Sequence, residues 1–145
     1  MTSDIIANDR VTVVDRITNS GEKDVKRHLL IIDDKIAIVK IISVYLSHEF
    51  DITYFETPVK AIEWLYKGNT PDLIILDIRM PEMSGEEFLA YIKKNGLFKE
   101  IPVIVLSGVE DSATRIRMLE EGADDYILKP FNPMELKIRI RKVLK

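Results

Sequence analysis

Four short apolar runs, built mostly of branched aliphatic residues, recur along the chain, and each ends abruptly in polar residues. They are Leu29-Leu30-Ile31-Ile32 before Asp33-Asp34, Leu73-Ile74-Ile75-Leu76 before Asp77, Val103-Ile104-Val105-Leu106 before Ser107-Gly108, and Tyr126-Ile127-Leu128 before Lys129-Pro130. Continuous apolar runs bounded in this way read as strands buried on both faces of a parallel sheet. A fifth strand, Asp51-Ile52-Thr53-Tyr54-Phe55, is the most polar and suits a sheet edge. Between the strands, apolar residues follow helical spacing: Ile38, Ile41, Ile42, Tyr45 and Leu46; Ile62, Leu65 and Tyr66; Gly85, Phe88, Leu89 and Ile92; Ile116 and Leu119. A last helix opens at the cap Asn132 with Pro133 in its first position, and carries Leu136, Ile140, Val143 and Leu144 inward.

Five strands and five helices in strict alternation predict an α/β architecture, a doubly wound parallel sheet with helices on both faces. The most apolar strands, first, third and fourth, belong in the centre, which gives the order 2-1-3-4-5 with its switch point between the first and third strands. Asp33, Asp34 and Asp77 end those two strands. Parallel strands share one direction, so a single sheet edge gathers three carboxylates, the Ser107 hydroxyl and the Lys129 ammonium. The domain is expected over residues 26–145, with residues 1–25 a tail of unknown role. In that tail Val11-Thr12-Val13-Val14 could form a short strand, and Thr18-Asn19-Ser20-Gly21 is a turn or linker signal.

At 145 residues, with 46% hydrophobic and 31% charged positions, the chain fits one ordinary domain. A net charge of -3 argues against general attraction to nucleic acid or anionic membrane, so neither is expected as a direct partner. No apolar stretch approaches a membrane span, and the absence of cysteine removes disulfides and thiolate metal sites. A cytoplasmic location is the expectation.

Carboxylates this crowded repel, and should hold a proton or a cation. Oxygen ligands without His or Cys suit a hard ion such as Mg²⁺. With a lysine and hydrogen-bond donors converging on a carboxylate, the set has the equipment of phosphoryl transfer to an Asp nucleophile. Taken singly each residue has a plainer role: Asp33-Asp34 as a helix cap, Asp77 as a turn residue, Ser107 as a strand terminator, Tyr126 as a core aromatic. Lys129-Pro130 could be only a chain reversal, although an X-Pro bond adopts cis at small cost and could aim the lysine inward. Independent caps and turns have no reason to place complementary charges at one edge. His28 and His48 fit no motif and read as structural or surface residues.

Over residues 26–145 the chain resembles the receiver domain of bacterial two-component response regulators, and within them the winged-helix OmpR/PhoB type. The motifs are Asp33-Asp34, Asp77 with Met80-Pro81 and Gly85, Ser107-Gly108, Gly122-Ala123-Asp124-Asp125-Tyr126, and Lys129-Pro130-Phe131. The resemblance implies a flavodoxin-like fold in which Asp77 takes a phosphoryl group from a sensor histidine kinase. It also implies Mg²⁺ bound by Asp34 directly, by Asp33 through water, by Asp77 and by the backbone carbonyl of Arg79. Ser107, Gly108 and Lys129 would contact the phosphoryl oxygens, and Tyr126 would change rotamer as Ser107 moves. Arg79 and Val109 would flank the attacking water without offering a general base, so hydrolysis should be slow. Arg115, Asp124, Asp125, Glu135, Arg139 and Arg141 match the charged homodimer face of the winged-helix type. Glu135 and Arg139 stand one helical turn apart, and across a two-fold axis Arg115 would pair with Glu135 and Asp125 with Arg139. Pairing of Glu135 with Arg139 inside one chain is the alternative.

Functions of other classes fit less well. An aspartate-nucleophile phosphatase commonly carries a second Asp where this chain has Arg79, and Asp33-Asp34-Lys35 would repel the phosphate of a flavin nucleotide. A phosphorylation-independent receiver-like interaction module is the serious competitor, but such modules usually lack an acid or the lysine. No effector segment follows Lys145, so the protein either docks to a partner or is the receiver portion of a longer chain.

Overall fold

Strand and helix alternate from Arg27 to Leu144. The computed structural model describes residues 5–6, 25–80, 82–108 and 110–145. Its strands are β1 (Ile5–Ile6), β2 (Arg27–Ile32), β3 (Phe50–Phe55), β4 (Leu73–Asp77), β5 (Val103–Ser107) and β6 (Asp125–Leu128). Its helices are α1 (Ile36–Leu46), α2 (Pro58–Tyr66), α3 (Gly85–Lys94), α4 (Ser112–Glu120) and α5 (Pro133–Leu144). All pairings are parallel and the sheet runs β1-β3-β2-β4-β5-β6. Counted from Arg27, the five long strands therefore take the order 2-1-3-4-5, as the apolar pattern predicts.

One difference lies at the outer edge. Ile5 and Ile6 pair with Ile52 and Thr53 of β3, so a piece of the expected tail adds a sixth short strand, and β3 is not wholly an edge. An open strand offers a row of unpaired backbone groups that an extended segment can satisfy, and two residues are too short to announce themselves by period. The expected strand Val11 to Val14 and the turn Thr18 to Gly21 lie outside the described residues.

Period two divides the core between the two faces of the sheet. Leu30, Ile32, Ile74, Leu76, Val103 and Val105 pack with Trp64, Phe88, Leu89 and Met118 under α2, α3 and α4. Leu29, Ile31, Leu73, Ile75, Ile104 and Leu106 pack with Val39, Ile42, Leu136 and Ile140 under α1 and α5. Three helices turn differently from their predicted faces. Ile41 and Tyr45 of α1, Tyr66 of α2, and Ile116 and Leu119 of α4 are exposed, while Val39, Trp64 and Met118 are buried. In α1 and α4 apolar residues occupy both sides, so spacing alone does not say which side meets the sheet.

Local chemistry sets the helix starts. Ser84 and Glu87 form a reciprocal capping box at α3. Asn132 accepts from the Met134 and Glu135 amides ahead of Pro133 at α5. The loop from β4 into α3 folds back hard: the Gly85 amide donates to the Ile78 carbonyl at 2.7 Å. A Cβ on Gly85 would stand 2.3 Å from the Asp77 carbonyl oxygen, closer than real contacts allow.

Gly85→Ala is therefore expected to destabilise the fold by roughly 1–3 kcal/mol through overpacking against the end of β4. At Gly96 a Cβ would meet nothing within 4 Å, so Gly96→Ala should be neutral or stabilising by up to about 1 kcal/mol. Urea unfolding of the two variants checks both, and equal effects would discount the close approach at Gly85.

Candidate functional site

Register brings the acids together. Ile32 lies beside Leu76 in the β2–β4 ladder, and one residue on Asp33 follows Ile32 as Asp77 follows Leu76. Asp33 and Asp77 are buried and Asp34 is exposed, with one carboxylate oxygen from each lying within 4.8 Å of the others. Among the described residues this is a group able to hold a metal ion through oxygen alone. Asp77 Oδ2 is buried and makes no hydrogen bond. Hard donors at this spacing with a buried oxygen unsatisfied fit a cation such as Mg²⁺.

Lys129 offsets part of the charge. Its Nζ, mostly buried, donates to Asp77 Oδ1 at 3.0 Å and to Asp33 Oδ2 at 3.2 Å. Its backbone amide donates to the Ser107 carbonyl at 2.8 Å, and the Lys129–Pro130 bond is cis. Lys35 lies on the more open side, Nζ 3.3 Å from Asp34 Oδ1 and 3.8 Å from Asp77 Oδ2. The motifs give Lys35 no role at this site; its place immediately after the acidic pair is the available signal. Burial chiefly pushes the Asp33 pKa up, with the Asp77 charge adding, against the Lys35 amide and the Lys129 ammonium. Burial would lower Lys35, but Asp34, Asp77 and Asp33 together hold it above the ordinary lysine value. Burial and the charges of Glu56, Asp33 and Asp34 push the Tyr54 phenol up to about 12, so the negative field reaches the end of β3.

Ser107 ends β5 and is buried, with Gly108 exposed after it. Tyr126 is buried in the core beneath α4. Asp33 also takes a cap-like role, accepting the Lys35 amide at 2.8 Å. Arg79 is exposed and, with Asp34, Met80, Glu86, Thr114 and Arg117, lines an open cleft of about 590 Å³. Arg117 of α4 and Glu86 of α3 are ion-paired. Pro81 and Val109 lie outside the described residues.

The charged face is only partly as expected. Arg139 bonds both oxygens of Asp125, at 3.0 and 3.1 Å, and Oε2 of Glu135 at 2.8 Å, so these three charges are paired inside the chain. Arg141 instead forks onto Glu49 just ahead of β3, at 2.6 and 2.9 Å. Residues two apart on a helix point to nearly opposite sides, so Arg141 does not share the Arg139 face. Asp124 accepts the Val103 amide at 2.8 Å and ties β6 to the start of β5. Arg115 is exposed on α4. His28 bonds Thr53 and packs its ring at a tilt against Trp64, and His48 is exposed, which agrees with structural and surface roles.

An acid whose folded pKa is raised holds its proton more tightly folded than unfolded. Its contribution to stability is greatest below the ordinary Asp value and is lost as pH rises through the raised one. Asp77→Asn removes one charge that raises Asp33. In chelator, the melting temperature of Asp77→Asn minus that of the wild type should therefore grow from acid to neutral pH, by a few degrees for roughly 1 kcal/mol. Paired thermal melts measure this, and a difference that shrinks with pH would count against charge crowding.

Residues 29–141 match the family model for the response regulator receiver domain. The chain is 41% identical over 125 residues to the probable transcriptional regulator ycf27 of Guillardia theta, covering 84% of this chain and 47% of that protein. It is 36% identical over 120 residues to the phosphate regulon transcriptional regulatory protein PhoB of Escherichia coli K12, covering 82% and 52%. The chain thus spans about half the length of these two relatives. A putative response regulator from Chloroflexus aurantiacus superposes with a TM-score of 0.77 at 29% identity, over 83% of this chain and 98% of that one. With the sheet order, the acidic strand ends and the lysine already in place, these matches establish that the chain belongs to the response regulator receiver domain family of two-component systems.

Proposed function

We propose that Asp77 accepts a phosphoryl group from the phosphohistidine of a sensor histidine kinase, and that its arrival is read out on the face made by α4, β6 and α5. The observation that carries this reading is the Lys129 ammonium shared between Asp77 and Asp33, with an Asp34 oxygen within 4.8 Å of theirs. A phosphorylation-independent module would need neither that lysine nor three acids within ligand distance. In the transfer, an Asp77 oxygen forms the new O–P bond as the P–N bond breaks, and the electron pair leaves with the imidazole. Asp34 and Asp77 would hold Mg²⁺ directly, Asp33 through water, and the Arg79 carbonyl would complete the protein ligands. When bound, the ion offsets charge on the phosphoryl oxygens. Lys129, the Ser107 hydroxyl and the Gly108 amide would bind those oxygens.

The chain would catalyse its own phosphorylation and slow dephosphorylation, since Arg79 is no general base. Among the described residues no helix is long and apolar enough to cross a membrane. Such a receiver would work in the cytoplasm beside its kinase, without touching nucleic acid itself.

Incubation with a small phosphodonor and Mg²⁺ is expected to leave a stable acyl phosphate that Asp77→Asn and chelator abolish and Lys129→Met reduces at least tenfold. Intact-mass measurement reads it. Rapid turnover without a stable adduct would indicate a phosphatase, and no reaction an interaction module.

The readout face supports a phosphorylation-promoted homodimer. Ile116 and Leu119 on α4 and Ile138 on α5 are exposed, beside the Arg139, Asp125 and Glu135 charges. Packing of α4 is light, Met118 being its one buried residue, and lightly packed elements move at low cost. In a dimer the Arg139 pairs would exchange between two copies, fixing orientation more than affinity. Arg139→Glu and Asp125→Arg should each lose the activated dimer, and mixing the two chains should recover it. Light scattering with a phosphoryl mimic and Mg²⁺ decides; a mixture that stays monomeric would show the pairs to be intrachain only.

A further inference from the structure

Two ammonium groups sit on the acidic cluster, and their surroundings differ. Lys129 is held by bonds to Asp33 and Asp77 with its side chain 15% exposed. Lys35 is 55% exposed and reaches across the outer side of the cluster, 3.3 Å from Asp34 Oδ1 and 3.8 Å from Asp77 Oδ2. Its backbone is fixed, because its amide donates to Asp33 Oδ1 at 2.8 Å at the start of α1. Its side chain makes no capping bond there and reaches the acids on a flexible stem.

We propose that Lys35 is a built-in competitor for the divalent cation: its ammonium spans the two carboxylates that would bind the ion directly, and it must leave for the ion to enter. This rests on the metal-binding reading above. With both lysines in place the cluster of three carboxylates carries a net charge of about -1, and with Lys35 withdrawn about -2. An ion entering between Asp34 and Asp77 meets the Lys35 charge on the same oxygens, and two cations cannot share them without mutual repulsion. Exposed ion pairs are weak and exchange readily with water, so Lys35 is the partner that yields while Lys129 stays. The lysine thereby sets a threshold on the cation concentration at which the site fills. It also partly neutralises Asp77 while the site is metal-free.

Calorimetric titration of chelator-stripped full chain with magnesium chloride, at low ionic strength, tests the inference. Lys35→Met removes the charge and keeps the length; it should bind up to about fivefold tighter than wild type, the upper end of what an exposed ion pair contributes. Lys35→Arg should bind as wild type does. In thermal melts Lys35→Met should fall below wild type in chelator and draw level at saturating Mg²⁺. Lys35→Gln, titrated beside it, covers a folding defect in the apolar variant and should also tighten binding. Equal or weaker Mg²⁺ affinity in both uncharged variants would overturn the competitor role. If the wild type binds and Asp34→Asn loses that binding while the Lys35 variants are unchanged, only this inference fails. If the wild type itself binds no Mg²⁺, the metal-binding reading fails with it.

Discussion

Mutual repulsion among Asp33, Asp34 and Asp77 is the constraint around which the rest of the molecule is arranged. Their oxygens lie within 4.8 Å of one another, two of them in side chains taken almost wholly from water. A buried carboxylate is costly unless a charge or a hydrogen bond answers it. Lys129 answers two of the three, and is kept there by its backbone bond to the Ser107 carbonyl. The sheet supplies the rest of the restraint. Strands β2 and β4 are locked in register at their far ends by Asp72, whose amide donates to the His28 carbonyl and whose carboxylate accepts the His28 amide. Asp124 does the same between β6 and β5. Charges at one edge of the sheet are thus pinned by polar clamps at the other.

Rigidity is unevenly distributed around that edge. Both faces beneath the central strands are filled by wholly buried aliphatic side chains, and α3 is fixed by its capping box and by Gly85 against β4. Helix α4 instead lies lightly on the sheet, joined to the start of α3 by the exposed pair of Arg117 with Glu86. Unequal packing of this kind lets a change in charge at a strand end be taken up by one helix while the sheet holds still. The proposed readout through α4, β6 and α5 relies on that inequality, as does the buried place of Tyr126 between α4 and the sheet.

Helix faces show where a hydrophobic pattern stops being informative. In α3, Gly85, Phe88, Leu89 and Ile92 are buried as spacing predicts, because the other side of the helix is polar. In α1, isoleucine, valine and tyrosine occupy both sides, and Ile41 and Tyr45 face outward while Val39 and Ile42 face the sheet. Which stripe is buried depends on how the strand ends deliver the chain into the helix, a geometric fact that residue type does not encode. The charged residues of α5 make the same point. Arg139 and Arg141 look alike in the sequence, but helical rotation sends one to Asp125 and the other to Glu49.

By itself the sequence determined the parallel sheet, its order over the five long strands and the identity of the acids, serine and lysine at the strand ends. Those features are written in local terms: runs of branched aliphatics too apolar for anything but a two-sided interior, and polar residues where the runs stop. Tertiary structure decided which charges meet. It joined Lys129 to Asp33 and Asp77 across 96 and 52 residues, turned Arg139 onto its own chain, added Ile5–Ile6 to the sheet edge and laid Lys35 over Asp34 and Asp77. Long side chains reach several ångströms from their backbone and choose partners by local field and space, quantities that exist only once the strands stand side by side.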